Sequence, residues 1–146
     1  MKKIIGISCL SSNRAIGINN NLILNLKYDM KFFKNKTVYV NNKDCKNAVI
    51  MGRKTYNNIG VLGLNERANC VISNFPNSNY EYNSITPRKN EVKFFNNIDL
   101  CLDTLQNRKD IESIYVIGGE KIYQYFMDNH IYDELFISYI LIFQTP

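Results

Sequence analysis

Asp29 is the side chain in this sequence whose surroundings best suit acid chemistry. Residues 26–36 predict a helix, because apolar residues recur at i, i+4 and i+7, namely Leu26, Met30 and Phe33. Asp29 borders that apolar face, where desolvation favours the neutral acid, raises its pKa and suits it to donate a proton or anchor a ligand. The helix alone favours a plainer interpretation, an Asp in the first turn stabilised by the helix dipole, since perturbed carboxylates are the minority.

Two junctions between a strand and a helix carry the next candidate chemistry. They are Gly52-Arg53-Lys54-Thr55 and Gly118-Gly119-Glu120-Lys121. Backbone N–H groups at a helix N-terminus bind phosphate, and two such ends in one sheet suit a dinucleotide with separate pyrophosphate and 2'-phosphate groups. Arg53 and Lys54 add the positive charge that a 2'-phosphate requires. Glycines that only permit tight turns are the alternative, because neither junction has the G-x-G-x-x-G pattern.

Arg67 is a third candidate, placed between Gly63-Leu64-Asn65-Glu66 and a predicted strand. A guanidinium there can hold a substrate carboxylate through two parallel hydrogen bonds. On the sequence alone, a solvated loop charge or an ion pair with Glu66 is the simpler interpretation.

The elements that would position these residues alternate along the chain. Short apolar runs predict strands at 4–10, 48–51, 70–73, 92–95, 114–117 and 135–143. Helices are predicted at 26–36 and 53–59, from the N-cap Asn97 through Leu105, and from Glu120 to about Met127. Alternating strands and helices indicate an α/β fold with a mostly parallel central sheet flanked by helices, in one domain spanning 1–146.

Composition limits the classes of function. The 18 basic and 13 acidic residues give a net charge of +5, which favours nucleic acid, a phosphorylated cofactor or a polycarboxylate as partner. The four cysteines are far apart and form no zinc spacing, so we expect packed, reduced thiols and no metal. The start of the chain is too interrupted for an export signal, and no stretch reaches the roughly 20 apolar residues of a membrane helix. We therefore expect a cytoplasmic protein without a membrane partner.

Several separated blocks, read in order, resemble the dihydrofolate reductase family over about residues 4–140. Residues 14–17, Arg-Ala-Ile-Gly, are similar to the start of that family's flexible active-site loop. Residues 26–37, which contain Asp29 and Phe33, resemble its substrate helix, and residues 49–56 and 116–123 resemble two of its most recognisable blocks. The resemblance implies NADPH-dependent reduction of 7,8-dihydrofolate to 5,6,7,8-tetrahydrofolate.

The resemblance also implies roles for individual residues. Asp29 is the expected catalytic residue, which holds the pterin ring and assists protonation of its N5. The implied substrate contacts are Ile7, Cys9, Met30, Phe33, Ile59, Arg67, Ile117 and Ser138, with Arg67 on the glutamate carboxylate, the Ile117 carbonyl near the pterin and Ser138 supporting the acid. The implied NADPH contacts are Gly17, Arg53, Lys54, Thr55, Ser73, Gly118, Gly119 and Tyr123, with Arg53 reading the 2'-phosphate.

Two features depart from the family pattern. The loop has Ile23 and Leu24 where the family usually has a proline and a tryptophan, so we expect slower or altered turnover rather than loss of binding. The chain also ends soon after the strand containing Ser138, without the usual C-terminal edge hairpin, so residues 140–143 would form an apolar edge strand. We expect a monomer, with dimerisation through that edge as the alternative.

Three functions stay open at this point. The first is an active reductase with dihydrofolate as its small-molecule partner. The second is a degenerate relative that binds NADPH or folate without turnover. The third is a small basic nucleic-acid-binding protein, although no nucleic-acid motif supports it. A riboflavin-pathway reductase of similar fold ranks below these, because it gives no reason for Asp29 and Arg67.

Overall fold

The computed structural model describes residues 1–11, 27–60, 62–73, 80–81 and 90–140, with the backbone alone for 8–11, 27–30, 80–81 and 135–140. Gly17 and the pair Ile23 and Leu24 lie outside the described residues, as does the segment 141–146.

The described residues form seven strands and four helices. In chain order these are β1 (Ile4–Ser11), α1 (Lys27–Val38), β2 (Lys46–Gly52), α2 (Arg53–Ile59), β3 (Arg67–Ile72), β4 (Tyr80–Glu81), β5 (Val92–Phe95), α3 (Ile98–Gln106), β6 (Ile111–Gly118), α4 (Glu120–Asp128) and β7 (Glu134–Ile140). The predicted bounds of α2 and β5 are confirmed, and the predicted cap of α3 is confirmed because the Asn97 side chain accepts a hydrogen bond of 2.7 Å from the Leu100 N–H.

Strands β1, β2 and β6 extend one to three residues beyond their predicted bounds, and two further strands differ from the sequence prediction. Strand β3 begins at Arg67 rather than Cys70, because its backbone pairs with β2 from Arg67 onward, and the polar residues Arg67 and Asn69 are buried in it. Strand β4, Tyr80–Glu81, was not predicted, since a two-residue strand is too short to show a period in the sequence.

The strands form one sheet in the order β4-β5-β3-β2-β6-β1-β7. Every neighbouring pair runs parallel except β4 with β5, which confirms the predicted mostly parallel α/β fold. The interior strands contain continuous apolar runs, as expected of strands covered on both faces. In β2, for example, Ala48, Val49, Ile50 and Met51 are all 0% exposed.

Two clusters of buried apolar residues cover the sheet. Because successive strand residues point to opposite faces, Ile4, Ala48 and Ile50 lie in one cluster, whereas Ile5, Val49 and Met51 lie in the other. Helices α3 and α4 complete the first, which we call the α3–α4 cluster, through Ile98, Cys101, Leu105 and Phe126. Helices α1 and α2 cover the second, the α1–α2 cluster, whose buried members are Ile5, Ile7, Val49, Met51, Tyr56, Val71, Val92, Phe94 and Tyr115.

The predicted packing of the cysteines is confirmed for Cys70 and Cys101, which are free and buried in the α3–α4 cluster. Cys45 is free and half-buried. No helix within the described ranges combines the length and the apolar character needed to cross a membrane.

Candidate active site

The two glycine junctions lie side by side at the carboxyl edge of the sheet. Strands β2 and β6 are neighbours, with Met51 opposite Gly118, and helices α2 and α4 begin directly after them. A Cβ atom added to Gly52 would lie 3.8 Å from the Gly119 nitrogen, so the two helix starts are in close proximity. Both N-caps are glycine and supply no side-chain hydrogen bond to the first turn. The arrangement therefore presents two helix N-termini to one location, where their dipoles favour an anion.

Gly118 leaves room at this edge that another residue would fill. Its φ of +129° is unfavourable for any residue with a side chain, and an added Cβ would lie 3.4 Å from the Tyr123 hydroxyl and 3.5 Å from Thr55 Oγ1. A Cβ on Gly119 would lie 3.6 Å from the same Thr55 oxygen. The structure thus brings together four of the residues assigned to the cofactor by resemblance, Thr55, Gly118, Gly119 and Tyr123.

Tyr123 connects this location to strand β1. Its hydroxyl donates a hydrogen bond of 2.7 Å to the backbone carbonyl oxygen of Ile7. Ile7 itself is 3% exposed and belongs to the α1–α2 cluster. The glycine junctions and the apolar face beneath α1 and α2 are therefore adjacent.

Arg53 and Ser73 lie on the other side of β2, toward β5. The guanidinium carbon of Arg53 is 5.2 Å from the centroid of the Phe94 ring, a cation–π distance, and Arg53 Nε donates to Asn57 Oδ1 at 3.3 Å. The Ser73 N–H donates to the Phe95 carbonyl oxygen at 2.8 Å, just after β3 ends. Lys54 is exposed on α2, and no contact within the described part of the chain ties it to this group.

Four of the residues assigned to the substrate share one apolar surface. Ile7 is a buried member of the α1–α2 cluster, and Phe33, Ile59 and Ile117 are half-buried against it. Leu64 packs against the same cluster and was missed by sequence reasoning, since a single leucine in a loop carries no periodic signal. In the backbone, Cys9 and Ser138 occupy facing positions of β1 and β7, and Asp29 and Met30 lie in the first turn of α1.

Arg67 is buried, so both of the simpler interpretations drawn from its sequence context were wrong. Only 5% of the residue is exposed, and no carboxylate of the described residues forms an ion pair with it, Glu66 included. Its Nε donates to the Asn65 carbonyl oxygen at 2.7 Å and its Nη1 to Thr37 Oγ1 at 2.9 Å. Burial lowers the pKa of Arg67, an effect that the nearby Glu66 charge partly opposes. A desolvated guanidinium held by neutral oxygens is suited to an external anion.

Asn69 organises the loop that leads to Arg67 and was not recognised from the sequence. It is 0% exposed, its Oδ1 accepts from the Leu64 N–H at 2.9 Å, and its Nδ2 donates to the carbonyl oxygens of Leu64, Arg67 and Glu91 at 3.0, 3.2 and 3.1 Å. The available signal was an asparagine inside the otherwise apolar run of β3. Buried polar side chains of this kind must be satisfied by hydrogen bonds.

Among the residues that the structure describes, no group of three or more His, Cys, Asp or Glu side chains is placed to hold a metal ion.

The fold and this edge define an α/β protein with a mostly parallel sheet, paired glycine junctions at its carboxyl end and an apolar surface beside them. A family model described as dihydrofolate reductase matches residues 3–142. The chain belongs to the dihydrofolate reductase family, which confirms the resemblance seen in the sequence.

Individual relatives agree with this assignment. The chain is 34% identical over 121 residues to a dihydrofolate reductase of Heliothis virescens, an alignment that covers 81% of this chain and 62% of the relative. It is 30% identical over 129 residues to a dihydrofolate reductase of Aedes albopictus, covering 85% of this chain and 66% of the relative. A solved Schistosoma mansoni dihydrofolate reductase superposes with a TM-score of 0.76 at 27% identity, covering 99% of this chain and 76% of that one. The chain spans less than two thirds of the length of both curated relatives.

Proposed function

We propose that this chain reduces 7,8-dihydrofolate to 5,6,7,8-tetrahydrofolate with NADPH as the reductant. The observation that carries the proposal is the hydrogen bond of 2.7 Å from Tyr123 to the Ile7 carbonyl, because it joins the two glycine junctions to the α1–α2 cluster. A cofactor held at the glycine junctions and a flat pterin ring held on the α1–α2 cluster would be neighbours. Membership of the family supports the reduction of dihydrofolate, and the adjacency of the glycine junctions to the α1–α2 cluster supports this edge of the sheet as its location.

The carboxyl edge of the sheet at the two glycine junctions fits a dinucleotide. Added Cβ atoms on Gly118 and Gly119 would meet Thr55 Oγ1 at 3.5 and 3.6 Å, so the bare backbone leaves a space bordered by the hydroxyl groups of Thr55 and Tyr123. Thr55, Gly118, Gly119 and Tyr123 would hold the cofactor there, together with Gly17 and Ser73, and Arg53 would meet its 2'-phosphate with the added charge of Lys54. When bound, NADPH supplies the hydride that the substrate receives. The protein residues orient the two rings and exclude water between them.

On the substrate side we propose three kinds of contact: an apolar wall, a carboxyl group and a guanidinium. Ile7, Phe33, Ile59 and Ile117, with Cys9 and Met30, form the apolar wall against which the pterin lies. The Asp29 carboxyl group binds the amino group and a ring nitrogen of the pterin and assists protonation of the pterin N5. Ser138 supports this carboxyl group, and the Ile117 carbonyl lies close to the ring. Arg67 binds the glutamate carboxylate, because it is a buried cation without an internal carboxylate partner in the described part of the chain.

The test of this function is a spectrophotometric assay of NADPH consumption with dihydrofolate, run on the wild-type protein and on Asp29→Asn. The variant should bind NADPH with unchanged affinity but turn over roughly 100-fold more slowly or worse, since Asn cannot exchange a proton. The defect should be greatest at neutral and higher pH, where protons from solvent are scarce. Asp103→Asn is the matched control, because Asp103 is an exposed Asp of helix α3.

Unchanged turnover in Asp29→Asn would remove Asp29 from its assigned role. Binding of NADPH or folate seen by calorimetry, without oxidation by the wild-type protein, would favour the degenerate relative over the enzyme. A steeply salt-dependent affinity for RNA or DNA, with no folate binding, would favour the basic nucleic-acid-binding protein instead.

The cellular location, the oligomeric state and the partners of the chain are also proposals. We expect the chain to act in the cytoplasm as a monomer on small-molecule partners, with neither nucleic acid nor membrane as a partner. Cell fractionation tests the location, and light scattering over a concentration series tests the monomer against a dimer formed through β7.

A further inference from the structure

Thr37 is one of the few fully buried polar residues in the described chain, and it bonds directly to Arg67. It is 0% exposed near the end of helix α1, and its hydroxyl oxygen accepts the 2.9 Å hydrogen bond from Arg67 Nη1. The same hydroxyl donates to the Phe33 carbonyl oxygen at 2.7 Å. A hydroxyl has one hydrogen to donate, so committing it to Phe33 leaves the oxygen as a pure acceptor toward the guanidinium.

The position of Thr37 is itself fixed by Asn47. This asparagine is 0% exposed in strand β2, and its Nδ2 donates to the carbonyl oxygens of Thr37 and Tyr39 at 2.9 and 2.8 Å. Its Oδ1 accepts from the Ser113 N–H of strand β6 at 3.1 Å. The end of α1 is therefore tied to two adjacent strands, and the Thr37 hydroxyl cannot follow the guanidinium if the guanidinium moves.

The internal hydrogen bonds of Arg67 leave a specific set of donors for a ligand. A guanidinium carries five N–H groups, of which Nε uses one on Asn65 and Nη1 uses one on Thr37. The second Nη1 hydrogen and both hydrogens of Nη2 have no acceptor among the described residues. Adjacent hydrogens on Nη1 and Nη2 are the pair that binds a carboxylate bidentately.

We propose that Thr37 is a positioning residue for substrate recognition, which holds Arg67 Nη1 so that Nη1 and Nη2 together receive the carboxylate of the substrate. The inference rests on the proposed function and adds a residue that touches neither substrate nor cofactor. Because Thr37 acts only through the carboxylate, its loss should weaken binding of a substrate that bears one and leave the hydride and proton steps intact.

The experiment compares Thr37→Val, which keeps the shape without the hydroxyl, with Thr37→Ser, which keeps the hydroxyl. For Thr37→Val, KM and the calorimetric Kd for dihydrofolate should rise roughly tenfold, as for loss of one hydrogen bond to a charged group. Turnover at saturation should stay within about twofold, as expected when only uniform binding is lost. Thr37→Ser should restore the wild-type KM, and a 2,4-diaminopyrimidine inhibitor without a carboxylate should bind both variants as it binds wild type.

Thr104→Val is the matched control. The Thr104 hydroxyl donates to the Leu100 carbonyl oxygen at 2.8 Å, the same i−4 hydrogen bond on helix α3, but it has no guanidinium partner. The control should leave KM unchanged. If Thr37→Val does not fold, Thr37→Cys takes its place, because a thiol is a weaker acceptor and should raise KM relative to Thr37→Ser.

An unchanged KM in Thr37→Val, an equal loss of affinity for the diaminopyrimidine, or no rescue by Thr37→Ser would overturn the inference while leaving the reductase function standing. Absence of any dihydrofolate binding by the wild-type protein would overturn both.

Discussion

Replacing Glu91 by Gln would remove the central charge of an ion network that joins the starts of β2, β5 and β6. The carboxylate of Glu91 is 2.9 Å from Lys46 Nζ and accepts from both Nη atoms of Arg108, which in turn binds Asp110 at 2.7 Å. The Glu91 and Arg108 side chains are only 22% and 20% exposed. The pair is therefore shielded enough for its charge to matter, unlike most surface ion pairs.

The size of the effect follows from the pKa of Glu91. Burial alone would raise it, but the hydrogen bonds and charges of Arg108 and Lys46 outweigh burial and lower it from 4.5 to about 2. A difference of this size corresponds to about 3 kcal/mol of stability at neutral pH, which partial solvent exposure reduces to about 2 kcal/mol. Because the folded-state pKa lies below the unfolded one, this stabilisation is fully present above pH 4.5 and is lost as the pH falls through about 2.

Urea denaturation of wild type and Glu91→Gln at a series of pH values measures this contribution. At pH 7 the variant should be less stable by about 2 kcal/mol, and the difference should shrink steadily below pH 4.5. Glu134→Gln is the matched control, because Glu134 forms an exposed pair with Lys3 at 3.5 Å and should change stability by only a few tenths of a kcal/mol. A difference that does not vary with pH, or one no larger than the control's, would refute this account of the network.

Two further substitutions test the architecture of the site. Gly63→Ala should destabilise the protein by about 2 kcal/mol or more, because Gly63 has a φ of +67° and an added Cβ would lie 2.8 Å from Asn69 Cγ. In a double-mutant cycle by urea denaturation, Gly63→Ala should lower the unfolding free energy much less when Asn69 is already replaced by Ala. Equal losses of stability with and without Asn69→Ala would show that backbone strain alone is responsible. Tyr123→Phe should lower the unfolding free energy by about 1 kcal/mol, the value of the lost hydrogen bond to the Ile7 carbonyl. An unchanged midpoint of denaturation would contradict a structural role for that hydroxyl.

The elements of the fold were predictable where one local pattern decides them. Apolar runs identified the buried strands, and Asn97 marked the start of α3 because capping depends on residues within one turn. The start of β3 was not predictable in this way. Arg67 and Asn69 have the polarity of loop residues, yet their backbone pairs with β2. Their buried side chains are satisfied by hydrogen bonds to Thr37, Leu64 and the Glu91 carbonyl.

The individual residues of the candidate site could be predicted from the sequence, but their adjacency in the fold could not. Each glycine junction is visible locally, yet their adjacency depends on β2 lying beside β6, two strands separated in the chain by β3, β4 and β5. Arg67 shows the same limit. Its sequence neighbour Glu66 suggested an ion pair, whereas the side chain that accepts a hydrogen bond from its guanidinium, Thr37, lies 30 residues away. Contacts of that range follow from topology, which a local pattern does not contain.

The two faces of the sheet differ in the residues that they contribute to the candidate site. The residues proposed to contact the substrate, where their side chains are described and apart from Arg67, belong to the α1–α2 cluster. On the opposite face the fully buried Phe126 belongs to the α3–α4 cluster. Tyr123 joins the two, since its ring packs against the α3–α4 cluster while its hydroxyl reaches the carbonyl of Ile7. The bare backbone of Gly118 permits this approach, because a Cβ there would lie only 3.4 Å from that hydroxyl. The geometry of the candidate site therefore depends on the packing of the α3–α4 cluster, which lies on the opposite face of the sheet.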